Sequence, residues 1–215
     1  MMRSRFDEQL ALLNRELIEM GARCEEVIAL AAKSMADGDV RLAKQVAPLD
    51  AEIDQKERDI EAMCLRLLLL QQPVARDLRQ ISAALKMITD MERIGDQAED
   101  IAEIVPFVVG HSAENDVLLK EMARATIQMV TESIDAYVKQ DLALAEKVVA
   151  DDDTVDSFFD QVKEQLIGRI ARSPEEGEYA LDLLMIAKYF ERIGDHAVNI
   201  AQWVTFSVTG VHKED

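Results

Sequence analysis

The chain is short of the residues that interrupt helices. Eight Gly and four Pro in 215 residues leave few places for turns, which argues against many short strands and favours a handful of long helices. Aromatic residues make up 5%, while Ala, Leu, Glu, Lys and Met recur throughout, the material of helix bundles. The two cysteines, Cys24 and Cys64, form no C-x-x-C and have no accompanying His shell, so they read as buried or idle thiols in a reducing compartment. No uninterrupted apolar run approaches transmembrane length, and Met1 to Asp7 lacks the apolar region of a signal peptide. The expectation is a soluble, cytoplasmic protein without direct membrane insertion. Phosphate cradles of the G-x-x-x-x-G-K-[ST] and G-x-G-x-x-G types are missing, as is the G-x-S-x-G nucleophile turn. A ferritin-like di-iron site would need Glu-x-x-His pairs, and none of the three His supplies one. Nothing offers a nucleophile with a partnered base, so a catalytic role has little support.

Acid is what the chain has in excess. With 42 acidic against 24 basic residues the formal net charge is −18, which repels nucleic-acid phosphates and anionic lipid. Basic protein surfaces and cations are the expected partners. Hydrophobic residues at 49% supply ample material for a core.

The chain also repeats itself. M-E-R-I-G-D-Q-A-E-D-I-A at 91–102 returns as F-E-R-I-G-D-H-A-V-N-I-A at 190–201, an offset of 99. D-A-E-I-D at 50–54 returns as D-D-T-V-D at 152–156, and D-x-x-L-A at Asp39–Ala43 returns at Asp141–Ala145, both at an offset of 102. A weaker match pairs the stretch at Met20 with that at Met122. Several matches in one order at nearly one offset indicate internal duplication. Each half carries three helical patterns, at 5–37, 39–71 and 74–109, then 114–139, 141–171 and 175–208. Asp37-Gly38-Asp39 suits a C-cap followed by an N-cap, Pro73 and Pro174 suit the first turn of the following helix, and Gly110-His111-Ser112 suits a linker. Met87, Met91, Ile94, Ala98, Ile101 and Val105, with their copies Ile186, Phe190, Ile193, Ala197, Ile200 and Val204, form the apolar stripes of packed helices. The expected fold is all-α, two tandem antiparallel three-helix bundles set end to end, one over 1–110 and one over 111–215.

Four acidic pairs at i,i+4 stand out: Asp50/Asp54, Glu92/Asp96, Asp152/Asp156 and Glu191/Asp195. Each pair shares a helix face, about 6 Å apart along the axis, and like charges so placed are mildly destabilising. Asp50 and Asp96 are equidistant from Pro73, as are Asp54 and Glu92; the second-half residues are likewise equidistant from the Ser173–Pro174 junction. Antiparallel helices therefore bring the members of each set to matched levels. Oxygen-only clusters suit hard cations such as Mg²⁺, Ca²⁺, Mn²⁺ or oxidised iron. Gly95 and Gly194 sit between the acids, where a mid-helix Gly implies close approach of a neighbour. Asp100 and Asn199 could add a ligand, His196 reads as a surface or supporting residue, and His111 and His212 as solvated. An acidic protein also carries such pairs as a solvated helix face with Arg58, Arg93 or Arg192 as counter-charges; duplication and level-matching favour the cation sites. Trp203 and Phe206 read as packing residues.

At the E-R-I-G-D repeats, each preceded by D-x-x-[IV]-D, the sequence resembles the PhoU family. Pro73-Val74-Ala75-Arg76-Asp77-Leu78-Arg79, running on to Glu92-Arg93-Ile94-Gly95-Asp96, and Tyr189-Phe190-Glu191-Arg192-Ile193-Gly194-Asp195 with Asn199-Ile200 carry the likeness. The resemblance implies two three-helix bundles, a homodimer, and a regulator that restrains the phosphate ABC transporter, through its ATPase, and quiets the partner phosphate-sensing histidine kinase. It also implies iron, zinc, manganese or magnesium at Asp50, Asp54, Glu92, Asp96, Asp152, Asp156, Glu191 and Asp195. One departure is Pro174-Glu175-Glu176-Gly177-Glu178 in place of the first half's D-L-R, so contacts of Asp77 and Arg79 are not expected to be duplicated. Direct capture of phosphate by so acidic a chain would need a bridging cation. The leading reading is a non-enzymatic adaptor; the alternatives are a metal-dependent hydrolase or phosphatase and a purely structural helical dimer.

Overall fold

The computed structural model describes residues 2–71, 73, 75–110 and 116–211. The expected linker at His111-Ser112, Val74 and His212 lie outside the described residues. Among the described residues seven α-helices follow one another: α1 (Met2–Asp37), α2 (Val40–Ala43), α3 (Val46–Gln71), α4 (Ala75–Val108), α5 (Asp116–Lys139), α6 (Leu142–Arg172) and α7 (Gly177–Thr209). A 3₁₀ turn over Pro174–Glu176 precedes α7, and no strand forms among the described residues.

The helix ends follow from local chemistry. Gly38 takes a left-handed φ of 62°, and Asp39 N–H reaches back to the Ser34 carbonyl at 2.9 Å, closing α1. The Asp39 carboxylate then accepts from the Arg41 and Leu42 amides, and Asp141 caps α6 through the Leu144 amide. The pattern expected as one helix over 39–71 is broken at Lys44-Gln45. Pro48 has no N–H to bond the Lys44 carbonyl, so the chain makes a short α2 and restarts at Val46. The second half has Ala150 at the matching position and α6 runs unbroken. Arg169 clips the α6–α7 turn, its Nε donating to Glu176 Oε2 at 2.6 Å while its guanidinium lies over the Tyr179 ring.

The two bundles do not meet end to end, as the repeat order alone suggested. They lie side by side, α4 along α7 and α1 against α5, around one continuous core drawn from both halves. All twelve residues of the two expected stripes are buried. α4 and α7 run antiparallel: Asp90 meets His196 and Asn199, while Arg79, near the start of α4, packs on Gly210, which ends α7 at φ 80°. Gly21 lets α1 approach α5, since a Cβ there would come within 2.9 Å of Ile134. The cost of exposing apolar surface explains the arrangement: the buried faces of α4 and α7 cover one another, which removes both from water.

The repeat extends to single hydrogen bonds. The Cys24 thiol donates to the Met91 carbonyl at 3.4 Å, and Thr126, its counterpart, donates to the Phe190 carbonyl at 3.4 Å. Cys24 thus fills the place of a hydroxyl. Both thiols are buried and free, burial raising Cys24 well above the ordinary range and Cys64 to about 12, so neither offers a thiolate nucleophile.

Candidate metal centre

In the first half the level-matched acids converge. One carboxylate oxygen from each of Asp50, Asp54 and Asp96 lies within 4.8 Å of the others. α3 supplies the first two at i,i+4, and α4 supplies the third across the antiparallel interface. Glu92 stands at the level of Asp54: burial raises its pKa first, followed by the charges of Asp96, Glu57 and Asp54, with Arg93 opposing. Asp50 is 7% exposed, and among the described residues its Oδ1 has no hydrogen-bond partner. Burial, reinforced by Glu99, Asp54 and Asp96, pushes its carboxyl up to about 7. Carboxyl groups so crowded hold either a proton or a cation between them.

Gly95 makes the convergence possible. A Cβ there would run into the Asp50 carboxylate, with Ile53 Cδ1 at 3.2 Å on the other side. The mid-helix glycine therefore keeps a berth for a carboxylate beside the α4 backbone. In the second half the berth is roomier: a Cβ on Gly194 would stand 3.5 Å from Asp152 Oδ1 and 3.6 Å from Val155 Cγ1, ordinary contact distances.

The second set is gathered at the same levels but less tightly, and among the described residues it does not reach the convergence of the first trio. Asp152 is pushed up to about 6, first by burial and then by Asp156, Asp195 and Glu191. Its Oδ1 is buried without a hydrogen-bond partner, as is Glu191 Oε2. Asp156 and Asp195 are more than a third exposed, yet partial burial and Glu191 still raise both, with Lys188 pulling the other way.

Counter-charges are present on both sides. Arg93 bonds Asp96 at 2.8 Å and lies 3.4 Å from Glu92, and Arg58 lies 3.6 Å from Asp54. These guanidiniums sit on the solvent rim, leaving Asp50 unserved. Arg192 faces Asp100 across the α4–α7 interface, away from the second acids. Asn199 and His196 are engaged outside the clusters, His196 acting on Asp195 only as a minor charge; Asn199 Nδ2 donates to Asp90 Oδ1 at 3.0 Å and His196 Nδ1 lies 2.9 Å from the same atom, tying the two halves together. Trp203 packs against the core and meets Phe206 edge to face at 5.7 Å.

Two contributors to the first cluster and one interface acid escaped the i,i+4 reading. Glu57 and Glu99 each follow a predicted acid by three residues, so the same helix face carries them into the first cluster, a signal present in the spacing. Asp90 had no such signal, because its partners belong to the other half.

The fold and site define a class: an internally duplicated all-helical protein with a carboxylate cluster between the second and third long helices of each repeat. The family model described as PhoU domain matches it twice, over residues 17–105 and 119–204. The chain belongs to the PhoU family. A protein of Clostridium acetobutylicum named phosphate-specific transport system accessory protein PhoU homolog is 33% identical over 214 residues, covering 98% of this chain and 97% of the relative. A Pseudomonas aeruginosa protein of the same name is 34% identical over 95% of this chain and 86% of its own length. The crystal structure of PhoU from Pseudomonas aeruginosa superposes with a TM-score of 0.93 at 34% identity, over 96% of this chain and all (100%) of that one. The phosphate transport system regulatory protein PhoU from Streptococcus pneumoniae does so at 0.90 and 25% identity, over 98% of this chain and 100% of that one. Among the described residues no helix is long and apolar enough to cross a membrane.

Proposed function

We propose that this chain regulates phosphate uptake and phosphate homeostasis as a cytoplasmic, non-enzymatic adaptor. It restrains the phosphate ABC transporter through its ATPase and quiets the associated phosphate-sensing histidine kinase, working as a homodimer. The observation that carries the reading is likeness over nearly the whole chain, in sequence and in fold, to proteins named as accessory and regulatory components of phosphate transport. The strongly acidic surface, with a net charge of −18, supports basic protein partners over nucleic acid or anionic lipid.

The carboxylate clusters hold metal cations, with iron, zinc, manganese and magnesium as candidates; the oxygen-only donor set favours the harder of these over zinc. Support comes from the converging Asp50, Asp54 and Asp96 and the unpartnered, buried Asp50 Oδ1. A bound cation supplies the positive charge that lets these acids ionise together; the chain's residues hold α3 against α4 around it. Elemental analysis of freshly purified protein, beside the Glu92→Gln/Asp96→Asn and Glu191→Gln/Asp195→Asn variants, tests the site. Stoichiometric metal that falls in the variants is expected. A wild-type protein that stays folded and metal-free after incubation with Mg²⁺, Mn²⁺, Zn²⁺ and iron rules the sites out. The adaptor role is tested by co-purification from cells grown in phosphate-rich medium, where failure to capture either the ATPase or the kinase would refute it.

A further inference from the structure

Away from the carboxylate clusters, the first bundle carries a groove at the break between α2 and α3. α1 borders it with Ala29, Leu30 and Lys33, and the chain around the break borders it with Lys44, Pro48 and Leu49. The space is about 550 Å³, within the range of roughly 300–1,000 Å³ in which binding clefts hold a compact ligand. Ala29 and Pro48 are exposed, and Leu30 and Leu49 are half-buried against the core, so the floor is apolar and open to solvent. Lys33 and Lys44 are exposed as well, and among the described residues neither has an ion-pair partner. Glu26, which also lines the groove, is already held by Arg23 at 2.7 Å. On a chain of net charge −18, two unpaired ammoniums therefore stand beside an apolar floor.

The other copy treats the same positions differently. At the repeat offset of 102, Lys33 and Lys44 become Asp135 and Glu146, Leu30 and Leu49 become Glu132 and Asp151, and Gln45 and Pro48 become Lys147 and Ala150. Lys147 joins α5 to α6 there, its Nζ ion-paired with both Glu132 and Asp151, and Asp135 is held by Lys139 at 2.7 Å. The second half thus spans this face with charges that satisfy one another. In the first half the apolar residues and both lysines are left for something outside the chain.

We propose that this groove docks a short acidic and apolar segment of a partner protein, an apolar side chain lying on Ala29, Leu30, Pro48 and Leu49 while carboxylates of the same segment meet Lys33 and Lys44. Charge complementarity selects this occupant. Two ammoniums on an acidic body match one or two carboxylates at short range, whereas a polyanion such as nucleic acid or an anionic membrane meets the repulsion of the whole surface. The adaptor reading locates no contact surface, and the inference stands without it and without the metal sites.

A random heptapeptide library displayed on phage, panned against the wild type and against Lys33→Asp/Lys44→Glu, tests it. That variant takes the second half's residues at two exposed positions, and circular dichroism checks that it folds. Peptides recovered on the wild type and lost on the variant are expected to combine Asp or Glu with Leu, Ile or Phe. Such a peptide, followed by fluorescence anisotropy, should bind the variant about ten-fold more weakly, bind Lys33→Arg/Lys44→Arg nearly as well as the wild type, and loosen with added salt. Ala29→Gln, which obstructs the floor at an exposed position, should weaken binding without changing any charge. Recovery of no peptide that distinguishes the two proteins, or of distinguishing peptides without acid, overturns the proposal. Loss of dimer mass by light scattering in the variant would assign the face to a second copy and overturn it too, as would binding to phosphatidylserine vesicles that only the wild type shows, which would assign the face to a membrane.

Discussion

The two halves place acids at the same levels of matching helices, yet the clusters they build are unlike. In the first, Asp50 is driven against the α4 backbone beside Gly95, three carboxylates converge, and further acids crowd the rim. In the second, Asp152 has room beside Gly194, and Asp156 and Asp195 open toward solvent. Duplication preserves backbone geometry because the core stripes demand it. Charge is free to drift between copies, because a surface-facing acid changes with little effect on packing. The difference teaches that matched spacing sets the level of each acid, and that the residues packed around it decide how tightly the acids converge.

The sharpest way to break this comparison is to add one methyl group to each half. Gly95→Ala forces a Cβ into the Asp50 carboxylate and Ile53, and should cost about 2 kcal/mol after the helix-propensity gain is counted. Gly194→Ala meets only ordinary contacts and should stabilise by up to about 1 kcal/mol. Urea denaturation of both variants measures this, and equal effects would mean that the two berths are the same.

A second measurement uses protons. Asp50 rises from 3.8 to about 7 and Asp152 from 3.8 to about 6 in the folded protein. A carboxyl whose folded pKa is raised contributes stability that is full below its unfolded pKa and lost as pH rises through the folded one. The metal-free protein should therefore gain about 1–2 kcal/mol as pH falls from 8 to 5.5, seen as a rising Tm. Asp50→Asn should flatten the trend between pH 8 and 6, and Asp152→Asn should act only at lower pH. A trend that survives Asp50→Asn unchanged would remove Asp50 from the centre of the first cluster.

The smallest effect compares the two first-helix ends. Gly38 and Gln140 occupy matching left-handed positions, at φ 62° and 51°. Gln140→Gly relieves that backbone and should stabilise by about 0.5 kcal/mol, after loss of the 3.3 Å bond from Arg76 to the Gln140 side chain is set against the relief. Gly38→Ala should cost about 1 kcal/mol. Thermal melts decide, and a destabilising Gln140→Gly would show that the Arg76 contact outweighs backbone strain.

Much of the fold was legible in the residues themselves. Scarce Gly and Pro, the repeated E-R-I-G-D segments and the apolar stripes place the long helices within a few residues, and distance from Pro73 by itself pairs Asp50 with Asp96. The break before α3 was equally present, in Pro48, but its effect depends on one missing amide, which periodicity does not register. Asp90 could not have been found this way. Its partners His196 and Asn199 are brought to it by packing of α4 on α7.

Sequence by itself determined what is local or periodic: the helices and their caps, the duplication, and the axial level of each acid, because 1.5 Å per residue and short connections leave no freedom along the axis. Tertiary structure decided rotation and partnership. It turned α3 so that Asp50 lies buried against Gly95, set the halves side by side where the order of repeats suggested end to end, and brought the Phe159 ring of α6 under Lys188 of α7. Those outcomes depend on how whole helix surfaces interlock to bury their apolar faces, and interlocking is a property of pairs of surfaces that neither strand of sequence states alone.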